Sequence, residues 1–116
     1  MLAATLANMG VNPVTGDRAF DFQYIKYVLT VMFTCGLYDY AGSWAYEVGL
    51  PAKSGVGGGI FGVVNRQLGV SVYSPKLDAQ GNSVRGILAC KDLASHLGLH
   101  AFEFTNLGSS FMKWLL

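Results

Sequence analysis

Hydrophobic residues recur at helical spacing in two stretches of the chain. The first runs from about Asp21 to Cys35, and its apolar positions are Phe22, Ile25, Val28, Leu29 and Met32. The second begins after Asn82 or Ser83, either of which is a suitable cap, and ends at Gly98. Its apolar positions are Val84, Ile87, Leu88, Cys90, Ala94 and Leu97. A period of about 3.6 residues predicts an amphipathic helix in both stretches.

The residues between the two helices follow the pattern of β-strands instead. Two runs rich in β-branched residues, 57–64 and 68–74, are separated by the turn-forming stretch Asn65-Arg66-Gln67. Such a pattern predicts an antiparallel hairpin. Pro51 precedes the runs and favours extended backbone, so the sheet is expected to begin there. Together these elements predict a mixed α+β fold in which helices flank antiparallel strands.

The remaining segments give weaker signals. A further helix is predicted at the start of the chain from its spaced apolar residues and a terminating glycine, namely Leu2, Leu6, Met9 and Gly10. Residues 38–48 are interpreted as a short irregular or helical connection. The tail, residues 100–116, has no clear pattern and is left unassigned, with 111–116 as a candidate short helix.

The composition is unusually poor in charge for a chain of 116 residues. Only 13% of the residues are charged and 52% are apolar, against about 25% charged in an ordinary soluble domain. A short chain has much surface per residue and should therefore be more polar than average. We infer that much of its surface is covered, either because it is one piece of a larger domain or because it forms a tight oligomer.

Charge and apolar patterning exclude several classes of partner. The net charge is +1, from eight basic and seven acidic residues, so neither nucleic acid nor an anionic membrane is an expected partner. The longest apolar stretch, 28–37, is far shorter than the ~20 residues that a bilayer span needs. Residues 1–5 lack the basic start of a signal peptide. A cytoplasmic protein is therefore expected, with Cys35 and Cys90 as buried, reduced thiols.

The tripeptide Lys53-Ser54-Gly55 opens the apolar, glycine-rich segment. A cation, a hydroxyl and a glycine at the start of a strand allow a substrate to lie along its edge, with the amine and hydroxyl beside it. The Lys-Thr/Ser-Gly element of serine-acylating enzymes works in this way. Because Lys53 lies in so apolar a stretch, we expect it to be buried and paired. Tyr38 follows the predicted helix end, where it would either pack or transfer protons beside a cation such as Lys53.

Two other patterns are weaker. Glycines 57, 59 and 62 satisfy G-x-G-x-x-G, but a dinucleotide site needs that pattern between a strand and a helix, and here it falls inside a strand. Those glycines indicate either close approach of a ligand or backbone, or tight helix-on-sheet packing. His96 and His100 lack the glutamate of a zincin motif, and Gly98 interrupts their helix, so no metal site is predicted.

A longer string is more specific. Cys-Gly-Leu-Tyr-Asp at 35–39, followed by Gly-Leu-Pro-Ala-Lys-Ser-Gly-Val-Gly-Gly at 49–58, closely resembles the serine-dependent glutaminases of the β-lactamase/transpeptidase-like superfamily. The resemblance runs from about Thr5 to Leu93. It implies that residues 1–116 are the C-terminal portion of a catalytic domain, and therefore an incomplete β-lactamase-like domain.

The resemblance also implies roles for particular residues. Tyr38 matches the family's active-site tyrosine, which contacts substrate and relays protons to and from the nucleophile. Val56 matches the valine whose backbone N–H faces the substrate carboxamide in the oxyanion hole, and Lys53, Ser54 and Gly55 match the strand motif. The implied reaction is hydrolysis of L-glutamine to L-glutamate and ammonia through a serine acyl-enzyme, with no metal or cofactor. The implied partners are the remainder of the catalytic domain and further copies in a homo-oligomer.

The chain departs from the family pattern in one respect. Its only Ser-x-x-Lys is Ser110-Phe-Met-Lys113, which follows the Lys-Ser-Gly strand, whereas the family places the nucleophile before it. The chain alone is therefore expected to be inactive. Two other readings stay open at this point: a non-catalytic structural or interaction module on the same scaffold, and a relative of penicillin-recognising acyltransferases.

Overall fold

The chain forms a three-stranded antiparallel sheet with helices on both faces. The computed structural model describes residues 1–103. In chain order its elements are α1 (Leu2–Ala7), α2 (Phe22–Cys35), a 3₁₀ turn (Tyr38–Tyr40), α3 (Ala41–Glu47), β1 (Ala52–Ser54), β2 (Gly59–Val64), β3 (Leu68–Tyr73) and α4 (Val84–Leu97). The strands are ordered β1-β2-β3, and both pairs are antiparallel. The predicted mixed α+β class is confirmed.

One apolar cluster lies on each face of the sheet, because alternate residues of β2 point to opposite sides. Val63 joins the cluster beneath α1 and α2, which comprises Ala3, Leu6, Ala7, Ile25, Leu29, Met32 and Val63. Ile60 and Val64 join the larger cluster beneath α3 and α4, which also holds Leu37, Trp44, Val48, Leu50, Ala52, Ile87, Cys90, Ala94 and Leu99. The central strand is therefore covered on both sides.

The elements with the clearest capping and turn signals begin and end where the sequence predicts. Asp21 caps α2 by accepting a hydrogen bond from the Gln23 N–H at 3.2 Å. Ser83 caps α4 by accepting from the Gly86 N–H at 3.0 Å, and Gly98 ends that helix in left-handed backbone. The hairpin of β2 and β3 pairs from Gly59 with Tyr73 to Val64 with Leu68. Local capping and turn signals thus define these boundaries.

Several apolar positions predicted to share a buried helix face are exposed. Phe22 is 61% and Val28 41% exposed on α2, and Leu88 is 56% and Leu97 59% exposed on α4. The sheet and its neighbouring helices cover only a narrow stripe of each helix. Cys35, seven residues after Val28 on the same side of α2, is also exposed, so its predicted burial is wrong.

Smaller differences concern the thiols, the first helix and the glycines. Both cysteines are free, and Cys90 is buried as predicted. The first helix is shorter than predicted because Met9 lies beyond its end in left-handed backbone. Gly57 lies in a turn before β2 instead of within a strand. A Cβ on Gly62 would meet the side chain of Leu50, which lies between α3 and β1, at 2.5 Å, so the close neighbour of this glycine is a loop residue and not a helix.

Ser110, Lys113 and the candidate helix over 111–116 lie outside the described residues. Within residues 1–103, no helix is both long enough and apolar enough to cross a bilayer.

Candidate functional site

Tyr38 stands at the turn that follows α2, in an uncommon backbone conformation. Its φ is 55°, a left-handed value that costs a non-glycine residue roughly 1–2 kcal/mol. The surrounding structure must therefore hold the turn in place. Gly36, two residues earlier, is packed so tightly that a Cβ there would lie 1.7 Å from the Ala52 carbonyl oxygen. The Tyr38 side chain is 45% exposed, so its hydroxyl-bearing ring is accessible from outside.

Lys53 approaches Tyr38 from strand β1. Its Nζ lies 4.9 Å from the centroid of the Tyr38 ring and also donates to the Ser54 carbonyl oxygen. The side chain is exposed, so the prediction that Lys53 is buried is wrong. An ammonium over an exposed aromatic ring contributes about 0.5–1 kcal/mol. The contact brings together the tyrosine and the cation that the sequence singled out.

Ser54 points in the opposite direction to Lys53. Neighbouring residues of a strand face opposite sides of the sheet, and Ser54 is only 3% exposed. Its hydroxyl donates to Asn82 Oδ1 at 2.5 Å. The amine and hydroxyl of the Lys-Ser-Gly motif therefore do not both line the exposed face, contrary to the expectation that both lie beside a substrate.

Val56 occupies an exposed β-turn directly after β1. The Gly58 N–H donates to the Gly55 carbonyl oxygen at 3.0 Å and closes the turn, in which Val56 is the second residue. Val56 is 71% exposed, and a Cβ added at Gly55 or Gly57 would meet no atom within 4 Å. Within residues 1–103, the Val56 N–H donates to no acceptor. The turn thus offers a backbone donor without an acceptor in residues 1–103, on an exposed residue.

The two turns are joined through Ser54. The Ser54 N–H donates to the Gly36 carbonyl oxygen at 3.0 Å, which places the start of the Tyr38 turn against the end of β1. Val56 follows two residues later. The turn of Tyr38 and the turn of Val56 are therefore connected through the strand motif by this hydrogen bond.

Asn82 is the site residue that the sequence did not reveal. It is fully buried, accepts from Ser54 Oγ, and its Nδ2 donates to the Leu37 carbonyl oxygen at 3.1 Å. The sequence marked it only as an alternative helix cap. Its partners are 28 and 45 residues away along the chain, and no local pattern predicts contacts of that separation.

A second polar cluster ties the helices α3 and α4 together. The Tyr40 hydroxyl donates to Glu47, and Lys91 Nζ lies 3.0 Å from the same carboxylate oxygen. These two hydrogen bonds hold the pKa of Glu47 below its usual value. Desolvation and the Glu47 hydrogen bond raise the pKa of Tyr40, and the hydrogen bond to Glu47 raises that of Lys91. None of the motif residues takes part.

The histidines do not form a joint site. His96 Nδ1 contacts the Asp92 carbonyl oxygen at 2.7 Å, and His100 Nε2 contacts the Tyr46 carbonyl oxygen at 2.9 Å. No group of three or more His, Cys, Asp or Glu side chains in residues 1–103 is arranged to hold a metal ion.

The chain is similar to known glutaminases. Residues 1–102 match the family model described as Glutaminase. A glutaminase of Trichormus variabilis is 57% identical over 114 residues, which cover 98% of this chain and 34% of that protein. The chain spans about a third of the length of this relative and of two other curated glutaminases that it matches.

Two solved structures share the fold. A probable glutaminase, YbaS, superposes with a TM-score of 0.85 at 50% identity, over 87% of this chain and 33% of that one. The Bacillus subtilis glutaminase YbgJ, in covalent complex with 5-oxo-L-norleucine, superposes with a TM-score of 0.83 at 34% identity, over 87% of this chain and 37% of that one.

Proposed function

Since the chain belongs to the glutaminase family, we propose that it is the C-terminal portion of a glutaminase catalytic domain. The proposed activity is hydrolysis of the side-chain amide of L-glutamine to L-glutamate and ammonia. In this proposal the chain contributes Tyr38 and the Val56 N–H to the site. The observation that carries it is their placement in two accessible turns on either side of Ser54, with the Val56 N–H free of any acceptor within residues 1–103.

The proposed chemistry is acyl transfer through a serine. The serine oxygen attacks the amide carbon, the C–N bond breaks as ammonia leaves, and water then releases glutamate. The nucleophile would come from a Ser-x-x-Lys outside this chain. The YbgJ complex supports a covalent route, because it forms from 6-diazo-5-oxo-L-norleucine. Once the diazo carbon is protonated, a nucleophile of that enzyme displaces dinitrogen from it, and this carbon takes the place of glutamine's amide nitrogen.

The two residues of this chain would serve different parts of the reaction. The Val56 N–H would donate to the oxygen that gains negative charge in the tetrahedral intermediate, and one such donor contributes about 10²–10³ in kcat. The Tyr38 hydroxyl would carry the proton between the serine and the departing nitrogen, a role worth roughly 10²–10⁴. Lys53 would hold the Tyr38 ring in place from above.

The remainder of the catalytic domain is the proposed partner of the exposed face of α2. That face carries large apolar side chains that are more than half exposed, namely Tyr24, Tyr27 and Val31. About two-thirds of the length of the relatives lies outside this chain, and that portion would cover the face. The same explanation accounts for the low fraction of charge. A homo-oligomer and a cytoplasmic location stay predictions from the sequence.

A single hydroxyl deletion tests the proposal. We define the joined protein as a fusion in which the upstream two-thirds of the Trichormus variabilis glutaminase comes first and this chain follows at its C-terminal end. In it, Tyr38→Phe should lower kcat for glutamine by at least about 10²-fold. Tyr46→Phe is the matched control, because Tyr46 is 86% exposed and lies outside the site. Equal activity of the two variants would show that the Tyr38 hydroxyl has no role in the reaction.

A further inference from the structure

We infer that Asn82 is a positioning residue for Tyr38, an inference that rests on the proposed function. Asn82 is fully buried at the end of the loop before α4. A buried amide stays in a protein interior only when its polar atoms are paired. Its oxygen accepts from Ser54 Oγ at 2.5 Å and its nitrogen donates to the Leu37 carbonyl oxygen at 3.1 Å. The amide therefore bridges the strand motif and the peptide that leads into Tyr38.

The bridge acts on a backbone that needs support. Tyr38 has a φ of 55°, and non-glycine residues rarely adopt this backbone conformation unless the surrounding structure fixes it. The Leu37 carbonyl oxygen accepts from both Asn82 Nδ2 and the Tyr40 N–H, the second at 3.1 Å. These two donors hold the peptide plane that determines where the Tyr38 ring points.

Hydrogen bonds within the loop that carries Asn82 hold that loop in place, and they therefore also fix the position of the Asn82 amide. Asp78 Oδ1 accepts from the Gln80 N–H at 2.9 Å and from the Asn82 N–H at 3.0 Å. The same loop passes close to the tyrosine, since a Cβ on Gly81 would lie 3.8 Å from the Tyr38 ring. The loop thus lies against Tyr38 both at its backbone and at its ring.

Asn82→Ala in the joined protein tests the inference, with Ser83→Ala as the matched control. Ser83 is the next residue, equally buried, and loses hydrogen bonds to the Ser74 carbonyl oxygen and the Gly86 N–H. Within residues 1–103, its hydrogen bonds go to Ser74, Gly86 and Ile87 and not to the Tyr38 turn. A misplaced reacting group lowers kcat by up to about 10²-fold. We expect Asn82→Ala to lower kcat between about 10-fold and 10²-fold with KM nearly unchanged, whereas Ser83→Ala keeps kcat.

A double-mutant cycle separates positioning from general damage. If Asn82 acts through Tyr38, Asn82→Ala should change kcat by less than about twofold in the Tyr38→Phe background, because residues that act as a unit are non-additive. An equal loss in both backgrounds, or an unchanged kcat in Asn82→Ala, overturns the inference. Should Asn82→Ala fail to fold, Asn82→Asp replaces it, since it keeps an oxygen for Ser54 and removes the amide donor to Leu37.

Hydrogen exchange supplies a readout that does not depend on turnover. The peptide 36–40 should exchange faster in Asn82→Ala than in Ser83→Ala. If Tyr38→Phe proves fully active, this measurement separates the two hypotheses. Faster exchange in Asn82→Ala alone would support the positioning role of Asn82 and would reject only the proposed function of Tyr38. Equal exchange in the two variants rejects the positioning role itself.

Discussion

Replacing Val56 with proline deletes one backbone N–H and leaves the turn intact. Val56 is the second residue of the Gly55–Gly58 turn and 71% exposed, and its N–H has no acceptor within residues 1–103. Proline is favoured at the second position of the common β-turns, and a compatible proline stabilises a fold by about 0.4–1 kcal/mol. The substitution should therefore leave the melting temperature of the joined protein unchanged or slightly raised.

Val56→Pro should change kcat far more than it changes stability. Loss of one oxyanion donor costs about 2.7–4 kcal/mol of transition-state stabilisation, or 10²–10³ in kcat. Since the charge develops only in the transition state, KM should change little. Val56→Ala is the control, because it removes the side chain and keeps the N–H. Steady-state glutamate release would measure both variants. A folded Val56→Pro with the kcat of Val56→Ala would refute an oxyanion role for this N–H.

Three further predictions concern stability. Trp44→Phe should destabilise the protein by about 1–3 kcal/mol in urea unfolding, because the fully buried indole N–H donates to the Leu50 carbonyl oxygen at 2.7 Å; a loss below that range would show that the bond adds nothing. Gly36→Ala should cost at least about 3 kcal/mol or prevent folding, since the new Cβ would meet the Ala52 carbonyl at 1.7 Å, while Gly42→Ala, with no atom within 4 Å, should be neutral or stabilising; similar melting temperatures for the two would contradict the packing argument. Burial raises the pKa of the Cys90 thiol from 9.0 to about 11, so the fold favours the neutral thiol; that stability is complete below pH 9 and is lost as the pH rises to 11. Over this window the protein should lose about 2–3 kcal/mol more than Cys90→Ala does, and parallel pH curves for the two would disprove it.

Local chemistry explains which elements were predictable from the sequence. The caps Asp21 and Ser83 and the left-handed Gly98 act within a few residues of the ends they define. The hairpin is equally local, because its turn and its alternating residues are adjacent in the chain. By contrast, periodicity placed Phe22 on the same apolar helix face as Ile25, but it could not show that the chain covers Ile25 and leaves Phe22 exposed.

The residues of the candidate site also fall into two groups, those that the sequence identified and those that only the folded structure reveals. The sequence brought Tyr38, Lys53 and Val56 to attention as a family motif, and the structure adds the contact between Lys53 and the Tyr38 ring. The inward direction of Ser54 follows from strand alternation once β1 is known. The role of Asn82 depends on distant segments meeting in space, and only the folded structure shows that.

The most direct test compares glutamate release from glutamine by the 116-residue chain and by the joined protein. We expect no turnover by the folded chain alone, because its Ser-x-x-Lys does not precede the strand motif. We expect turnover by the joined protein, which Tyr38→Phe should lower by at least about 10²-fold. Turnover by the chain alone would place a nucleophile within it. A folded joined protein with no activity would contradict the assignment of Tyr38 and Val56 to a glutaminase site.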